Sequence, residues 1–286
     1  MKKSNTVLLT TVFPLSVKFL DEFLNSLKLQ TDKDFDLLVV NDGVANFKDL
    51  IKEYRQINII EIVSEKSIVQ NRKTGIEAVM KLNYEFLIFG DSDDYFEMNR
   101  VALSKKLLKK YDIVVNDLTL FDKKGIYCKS YYSKRIDDLF EINLEFIKNK
   151  NILGLSNTAV RTESIGDLDF CKNLVALDWY FFSKLLFKNK TAVYTNQTQT
   201  YYRQYQDNTV GLGDNSMNSI KKAIKVKKIH YQCMTIISDF FDKLLCEINY
   251  LEVNIENVDF EKDKTNQSNL LWWEIPNYKI KTKKKI

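Results

Sequence analysis

Asp91, Ser92, Asp93 and Asp94 follow one another directly after the apolar run Phe86-Leu87-Ile88-Phe89 and a single glycine, Gly90. Carboxylates crowded into one turn repel one another in a partly buried cleft, and a divalent cation with hard oxygen ligands relieves that repulsion. Magnesium or manganese held there would bridge carboxylate oxygens to a diphosphate and neutralise charge developing on a leaving group. The plain alternative is a solvated acidic turn in which Asp94 or Asn99 caps the next helix. A second chemistry, a phosphatase whose first aspartate is the nucleophile, needs the pair after an early strand with Thr or Val next. Here Asp94-Tyr95 follow instead.

These side chains need a scaffold that brings them to one edge, and the apolar pattern supplies it. Residues 6–12 read as a strand, and Leu20, Phe23, Leu24 and Leu27 then recur at helical spacing behind a cap at Ser16. A second strand, 35–40, ends in Asn41-Asp42-Gly43, and a helix over 47–55 leads to a third strand at 57–63. A helix over 67–82, a buried strand at 86–89, a helix over 101–111 and a strand at 113–118 continue the alternation. Such alternation predicts an α/β fold, a mostly parallel sheet flanked by helices, in which ligands bind beyond the carboxyl ends of the strands. Asp42 and the run from Asp91 both occupy that position.

The second half is less regular. Lys123-Lys124-Gly125 suggests a hairpin turn, 155–161 a strand, 178–187 a helix, and 192–195 and 200–204 two further strands. From 219 to about 250 the pattern is helical, which places a boundary within 211–218 and divides the chain into 1–215 and a lysine-rich helical extension, 216–286.

Several segments, in order, resemble those of bacterial family 2 glycosyltransferases of the GT-A fold. Residues 23–43 (FLNSLKLQTDKDFDLLVVNDG) resemble the family's opening helix and strand, and 71–78 (NRKTGIEA) its Arg-Asn-x-Gly-Ile helix start. Residues 86–96 (FLIFGDSDDYF) resemble its strand and metal motif, and Leu177-Asp178-Trp179 its Glu-Asp-Trp segment. Residues 202–211 (YRQYQDNTVG) look like a loop of rhamnosyl- and related transferases, so the likeness spans about 5–215.

The resemblance implies an inverting transferase that moves a sugar from a nucleotide-sugar donor to a hydroxyl of a glycan or lipid-linked acceptor, with Mn2+ or Mg2+ as cofactor. By it, Asp42 holds the nucleotide base, Arg72 lies near the base or diphosphate, and Asp91 meets the ribose or the metal's shell. Thr11 and Ser92 join the nucleotide site, Asp93 ligates the metal, and Asp178 is the base that takes the acceptor's proton. Arg203, Asn208 and Trp179 contact phosphate or acceptor. Without the resemblance Asp178 reads as a carboxylate favoured by a helix N-terminus, Asn208 as a turn residue, and Arg203 as an ordinary strand-edge arginine. The family's Pro-x-Tyr-Asn is replaced by Thr10-Thr11-Val12-Phe13-Pro14, which leaves the nucleotide's identity open.

Composition sets the remaining bounds. A chain of 286 residues, 45% hydrophobic, can bury one large core or one core with a smaller unit. Eight glycines and two prolines exclude collagen-like and low-complexity readings. The net charge of +5 comes from lysines gathered toward the C-terminus, which argues against nucleic acid as a partner. Cys128, Cys171, Cys233 and Cys246 form no C-x-x-C pair, and no apolar run reaches about 18 residues. A cytoplasmic location is therefore expected. Paired Trp272 and Trp273 beside a lysine cluster suit the inner face of an anionic membrane, or else the tryptophans pack and the lysines are solvated. His230, the sole histidine, reads as a helix surface or packing residue. The contrasting function is a non-catalytic nucleotide-sugar or glycan-binding module with a membrane-associating tail.

Overall fold

Residues Thr6–Val12 form β1, whose side chains are all buried, as expected for a strand covered on both faces. Val7 and Leu9 enter one hydrophobic core and Leu8 and Val12 the other, the period of two that a pleated strand imposes. The computed structural model to which it belongs describes residues 4–171, 173–205, 212–213, 216–260, 270–271, 273–275 and 278–280.

The chain leaves β1 through a 3-10 turn, Pro14–Phe19, before α1 (Leu20–Lys28). Ser16 closes that turn: its hydroxyl accepts from the Phe13 N–H at 3.1 Å and donates to the Phe13 carbonyl at 2.9 Å. There follow β2 (Asp36–Asn41), α2 (Phe47–Leu50), β3 (Asn58–Val63), α3 (Ile68–Lys81) and β4 (Phe86–Phe89). The expected helix over 47–55 is split, α2 passing into a separate 3-10 turn at Lys52–Tyr54. These strands run parallel in the order β3-β2-β1-β4.

The remaining elements are β5 (Tyr95–Phe96), α4 (Arg100–Leu108), β6 (Ile113–Asp122), β7 (Gly125–Cys128), β8 (Glu141–Ile142), α5 (Leu144–Ile147), β9 (Thr158–Arg161), α6 (Leu177–Phe187) and β10 (Ala192–Arg203). They extend the sheet as β4-β9-β6-β10-β5, with β9 antiparallel to both its neighbours and β6 parallel to β10. The hairpin read at Lys123-Lys124-Gly125 joins β6 to β7, with Gly125 at φ +114°.

The two strands expected at 192–195 and 200–204 are one strand, β10, with a bulge. Thr195 pairs with Asn116 and Gln199 with the very next residue, Asp117. Asp138 holds the extra residues, accepting from the Thr195 hydroxyl at 2.9 Å and the Gln197 amide at 2.7 Å. The polar break in the hydrophobic pattern is therefore a bulge within a continuous ladder.

Helices α1 and α4 cover one face of the sheet through Leu20, Phe23, Leu24, Val101 and Leu108. Helices α3 and α6 cover the other, joined there by α7 (Met217–Thr235) and α8 (Asp242–Asn254). Ile220, Ile224, Tyr231 and Met234 of α7 share one core with Trp179 and Phe182 of α6.

Candidate active site

Two close backbone approaches bring the chemistry together. The first is at α3, where Ser67 caps the helix by accepting from the Gln70 N–H, and buried Asn71 accepts from the Ser64 hydroxyl at 2.9 Å. A Cβ on Gly75 would lie 2.8 Å from a Leu9 methyl group and 3.0 Å from one of Val40, so glycine lets α3 lie hard against β1 and β2. That fixes Arg72, one turn earlier, over the ends of the strands.

The second approach is at Gly90, whose N–H continues the ladder to the Leu9 carbonyl at 3.0 Å. A Cβ there would fall 2.7 Å from the Phe96 ring, which is wedged between Phe23 and the Arg100 guanidinium, 4.1 Å from its centroid. Gly90→Ala is therefore expected to cost about 1–3 kcal/mol through overpacking. The thermal midpoint should drop by roughly 2–10 °C in a melting curve.

Past Gly90 the acidic run is enclosed rather than solvated. Asp91 forms an ion pair with Arg72, and the Ser92 hydroxyl donates to the Thr11 carbonyl at 2.7 Å. Asp93 accepts from the Tyr205 phenol at 2.7 Å, while its carbonyl takes a hydrogen bond from Arg203 Nε at 2.7 Å. Asp94 is 1% exposed and accepts from the Arg203 N–H and the Ser156 hydroxyl. Asp94 is thus a structural anchor and not a helix cap. Asn99 stands at the N-cap of α4 but donates to the Gln197 carbonyl instead of capping.

Burial pushes the Asp93 carboxyl up, with the Asp91 charge adding to it. Burial, then Asp93 and Asp91, push Asp94 well up. Two cations compensate: Arg72 on the cleft side, and Arg100, 1% exposed behind the run, donating to the Phe89 carbonyl at 2.6 Å and to Asn116 Oδ1 at 3.1 Å.

Asp178 opens α6, where it accepts from the Trp179 N–H at 2.8 Å. Burial is the main reason its carboxyl is raised to about 6; Asp91 adds to the shift, while Asn151, the Trp179 N–H and Arg72 act against it. One cleft of about 370 Å³ is lined by Thr11, Arg72, Asp91, Ser92, Asp93 and Asp178 together, with Tyr205, Asn151, Tyr202 and Trp273 also in its wall. The volume lies in the range of small-molecule sites.

The other expected residues stand elsewhere. Asp42 follows β2, half-buried, with its N–H donating to the Val12 carbonyl at 2.8 Å, and its side chain does not line the cleft. Trp179 is a correction: at 1% exposure it has no surface left for phosphate or acceptor. Its indole donates to the Ile147 carbonyl at 2.9 Å and stacks on His230 at 3.7 Å and 4°. Consecutive helical residues point about 100° apart, so the neighbour of a cleft residue is turned into the core. His230 is accordingly a buried packing residue.

Arg203 does not line the cleft: its guanidinium lies over the Phe19 and Phe121 rings and binds Glu22 and the Asp93 carbonyl, which braces the acidic run. Asn208 lies outside the described residues.

Among the described residues no three His, Cys, Asp or Glu side chains converge into a metal cage. The donor set in the cleft, Asp91 and Asp93, suits a cation bound through one or two carboxylates that completes its shell with phosphate oxygens and water.

A family model described as Glycosyl transferase family 2 matches residues 15–165, just over half of the chain. The Streptococcus pneumoniae protein named Glycosyltransferase GlyA is 26% identical over 201 residues, which is 65% of this chain and 28% of that protein. The chain thus spans under a third of that relative's length. Among solved structures, S. aureus TarS residues 1–349 superimposes with a TM-score of 0.61 at 20% identity, covering 92% of this chain and 73% of that one. A Pyrobaculum calidifontis mannosyltransferase, PcManGT, solved with GDP-Man and Mn2+, superimposes with a TM-score of 0.58 at 11% identity, covering 88% and 70%. The α/β sheet and its flanking helices are those of the GT-A fold.

Proposed function

From the premise that the chain belongs to glycosyl transferase family 2, we propose that its cleft holds a nucleotide-sugar and passes the sugar, with inversion, to an acceptor hydroxyl. The observation that carries this reading is one cleft with Arg72, Asp91 and Asp93 in its wall and Asp178, a carboxylate raised to about 6, in the same wall. A carboxylate poised near neutrality suits general-base work. Asp178 takes the proton from the attacking hydroxyl, which must approach from the face opposite the leaving diphosphate.

Arg72 and the Asp91–Asp93 turn receive the diphosphate, with Thr11 and Ser92 shaping the nucleotide end and Asp42 reaching the base from outside the cleft wall. A divalent cation, Mn2+ or Mg2+, carried by Asp93 would supply charge neutralisation on the leaving nucleotide. TarS structures contain UDP and UDP-GlcNAc, which makes UDP-sugars the first donors to try.

The acceptor is a hydroxyl of a glycan or lipid-linked glycan in cell-surface polysaccharide synthesis. Membrane docking receives less support from the described residues; Trp272 and 281–286 lie outside them. Trp273 is 6% exposed within the core, Lys221 and Lys228 pair with Glu256 and Glu252, and Lys227 donates to the Asn149 carbonyl at 3.0 Å. No helix among the described residues is long and apolar enough to cross a membrane. Within the extension 216–286, the described helices α7 and α8 are better cast as a buttress for a donor domain of 1–215, since His230 stacks on Trp179 behind Asp178.

A panel of UDP-, dTDP-, GDP- and CMP-sugars with Mn2+ tests the proposal by nucleotide release and calorimetry. One donor should bind and be slowly hydrolysed, and EDTA or Asp93→Ala should lower release by at least about 10²-fold. A chain that binds no member with metal present is not this enzyme. Binding without turnover, even with acceptors supplied, would favour the non-catalytic module.

A further inference from the structure

Asp93 is held from one strand end by two side chains. Arg203, the last residue of β10, fixes its main chain, donating from Nε to the Asp93 carbonyl at 2.7 Å. Tyr205, just beyond the strand, fixes its side chain, the phenol donating to Oδ2 at 2.7 Å. Asp93 and Tyr205 both line the cleft, and Asp93 keeps part of its surface exposed there, unlike the buried Asp94 beside it.

The phenol is aimed by what lies behind it. The Tyr205 ring packs on Phe19, with centroids 5.2 Å apart at 53°, and the Arg203 guanidinium lies 4.2 Å from the centroid of the same Phe19 ring. One ring therefore seats both side chains that grip Asp93. Phe19 ends the 3-10 turn after β1, and Leu15 of that turn and Phe13 before it line the cleft. A tyrosine has only two side-chain torsions, so a packed ring delivers its hydroxyl to one place.

That grip discriminates between cations. An oxygen that accepts a hydrogen bond has one lone pair fewer to give, which disfavours clasping a single ion with both oxygens of the carboxylate. Mg2+ and Mn2+ suit octahedral oxygen sites, and Mg2+ is held through one or two carboxylates with water and phosphate completing its shell. Ca2+ is larger, takes more oxygens in flexible geometry, and gains from carboxylates that bind through both.

Resting on the transferase reading above and on the cation it assigns to Asp93, we propose that Tyr205 is a positioning residue that sets the cation selectivity of the cleft. Its phenol holds Asp93 as a one-oxygen ligand, which favours Mn2+ or Mg2+ over Ca2+. Tyr205 acts through Asp93 and does not itself touch the ion.

The test measures cation binding by the whole chain without turnover. Mn2+ uptake is read from loss of the free-ion signal in electron paramagnetic resonance, with Mn2+ alone and with UDP, dTDP or GDP added, each against a protein-free blank. Mg2+ and Ca2+ are read by competition with Mn2+. Tyr205→Phe keeps the ring and removes only the hydroxyl. Its Mn2+ affinity should fall about 10–100-fold, the usual effect of losing a partner that orients a metal ligand. Its Ca2+ affinity should fall by no more than about threefold, because the larger ion can use the freed oxygen. The preference for Mn2+ over Ca2+ thus narrows by at least about threefold.

Phe19→Leu, a change outside the cleft wall, leaves the hydroxyl but loosens its seat, and should narrow the same preference to a smaller degree. It supplies the comparison if Tyr205→Phe does not fold. A structural role alone would weaken Mn2+ and Ca2+ in proportion, and that result overturns the proposal. So does a preference that neither variant narrows, a wild type that prefers Ca2+, or tighter Mn2+ binding by Tyr205→Phe, which would make the phenol a competitor of the ion. Asp93→Ala should lose all three ions. A wild type that takes up no Mn2+ under any of these conditions, or uptake that survives Asp93→Ala, removes the cation from Asp93 and defeats that part of the reading above, and this inference with it.

Discussion

Asp178→Asn should lower sugar transfer about 10²–10⁴-fold while leaving donor affinity nearly intact, because the change removes a proton acceptor and keeps the side chain's shape. The pH profile makes the attribution specific. Burial raises the carboxyl to about 6, so wild-type kcat/KM should climb through that pH as the base ionises, about two units above an ordinary aspartate. The variant's residual activity should lack that limb. Loss of donor binding in calorimetry, or a limb that survives the substitution, would place the base elsewhere.

The same carboxyl allows a check on folding. Its folded-state value is raised, so between about pH 4 and 6 the folded chain keeps a proton that the unfolded chain has released. The stability it contributes is present at low pH and lost as pH rises through 6. Asp178→Asn therefore should not lower the melting temperature at pH 8, and a large decrease there would point to a lost structural contact.

The second large effect concerns Arg100. Its guanidinium is buried behind the acidic run, binds the Phe89 carbonyl and Asn116, and lies 4.1 Å from the Phe96 ring centroid. Burial pushes it down to about 9, with Asp94 and Asp91 holding it up, so it remains a cation at neutral pH. Arg100→Leu strips the run of that charge and leaves two buried acceptors without a donor. Removing one partner of a buried charge cluster costs about 3–5 kcal/mol, which corresponds to roughly 6–20 °C in melting temperature. Arg100→Lys should recover little, since an ammonium reproduces neither the planar fork nor the stacking. A loss below about 1 kcal/mol in urea unfolding would show that the run is held by its other hydrogen bonds.

The periodic elements are readable from the chain alone because burial on a strand or helix leaves a local signature. Thr6–Val12 and Phe86–Phe89 are uninterrupted apolar or β-branched runs, and both appear where expected. Short elements held by distant partners leave no such mark: Tyr95–Phe96 is a strand only because Thr200 and Tyr201 come alongside. The acidic run and Asp178 stand out as carboxylates at element ends, but their convergence needs Gly75 and Gly90, whose value is visible only once Leu9 and Phe96 are in place.

Other placements are hidden from the sequence for equally physical reasons. Trp179 adjoins Asp178 in sequence but points into the core, and Arg203 meets Glu22, 181 positions away along the chain. Tyr205 and Asn151 enter the cleft wall from a strand end and a loop, where no periodicity marks them. Arg100 looks like one more helix-start cation until its burial is known.

The parallel contact between the Trp179 and His230 rings bears on where this protein can be divided. Cutting ahead of Met217 to obtain a minimal fragment would turn an inside surface outward, wetting the indole directly behind Asp178 and opening the core that Ile220, Ile224 and Met234 now seal. The shorter chain would keep Arg72, Asp91, Asp93 and Asp178 in its sequence yet lose the packing behind the helix that carries Asp178. A fragment with intact motifs and poor solubility is what that geometry implies.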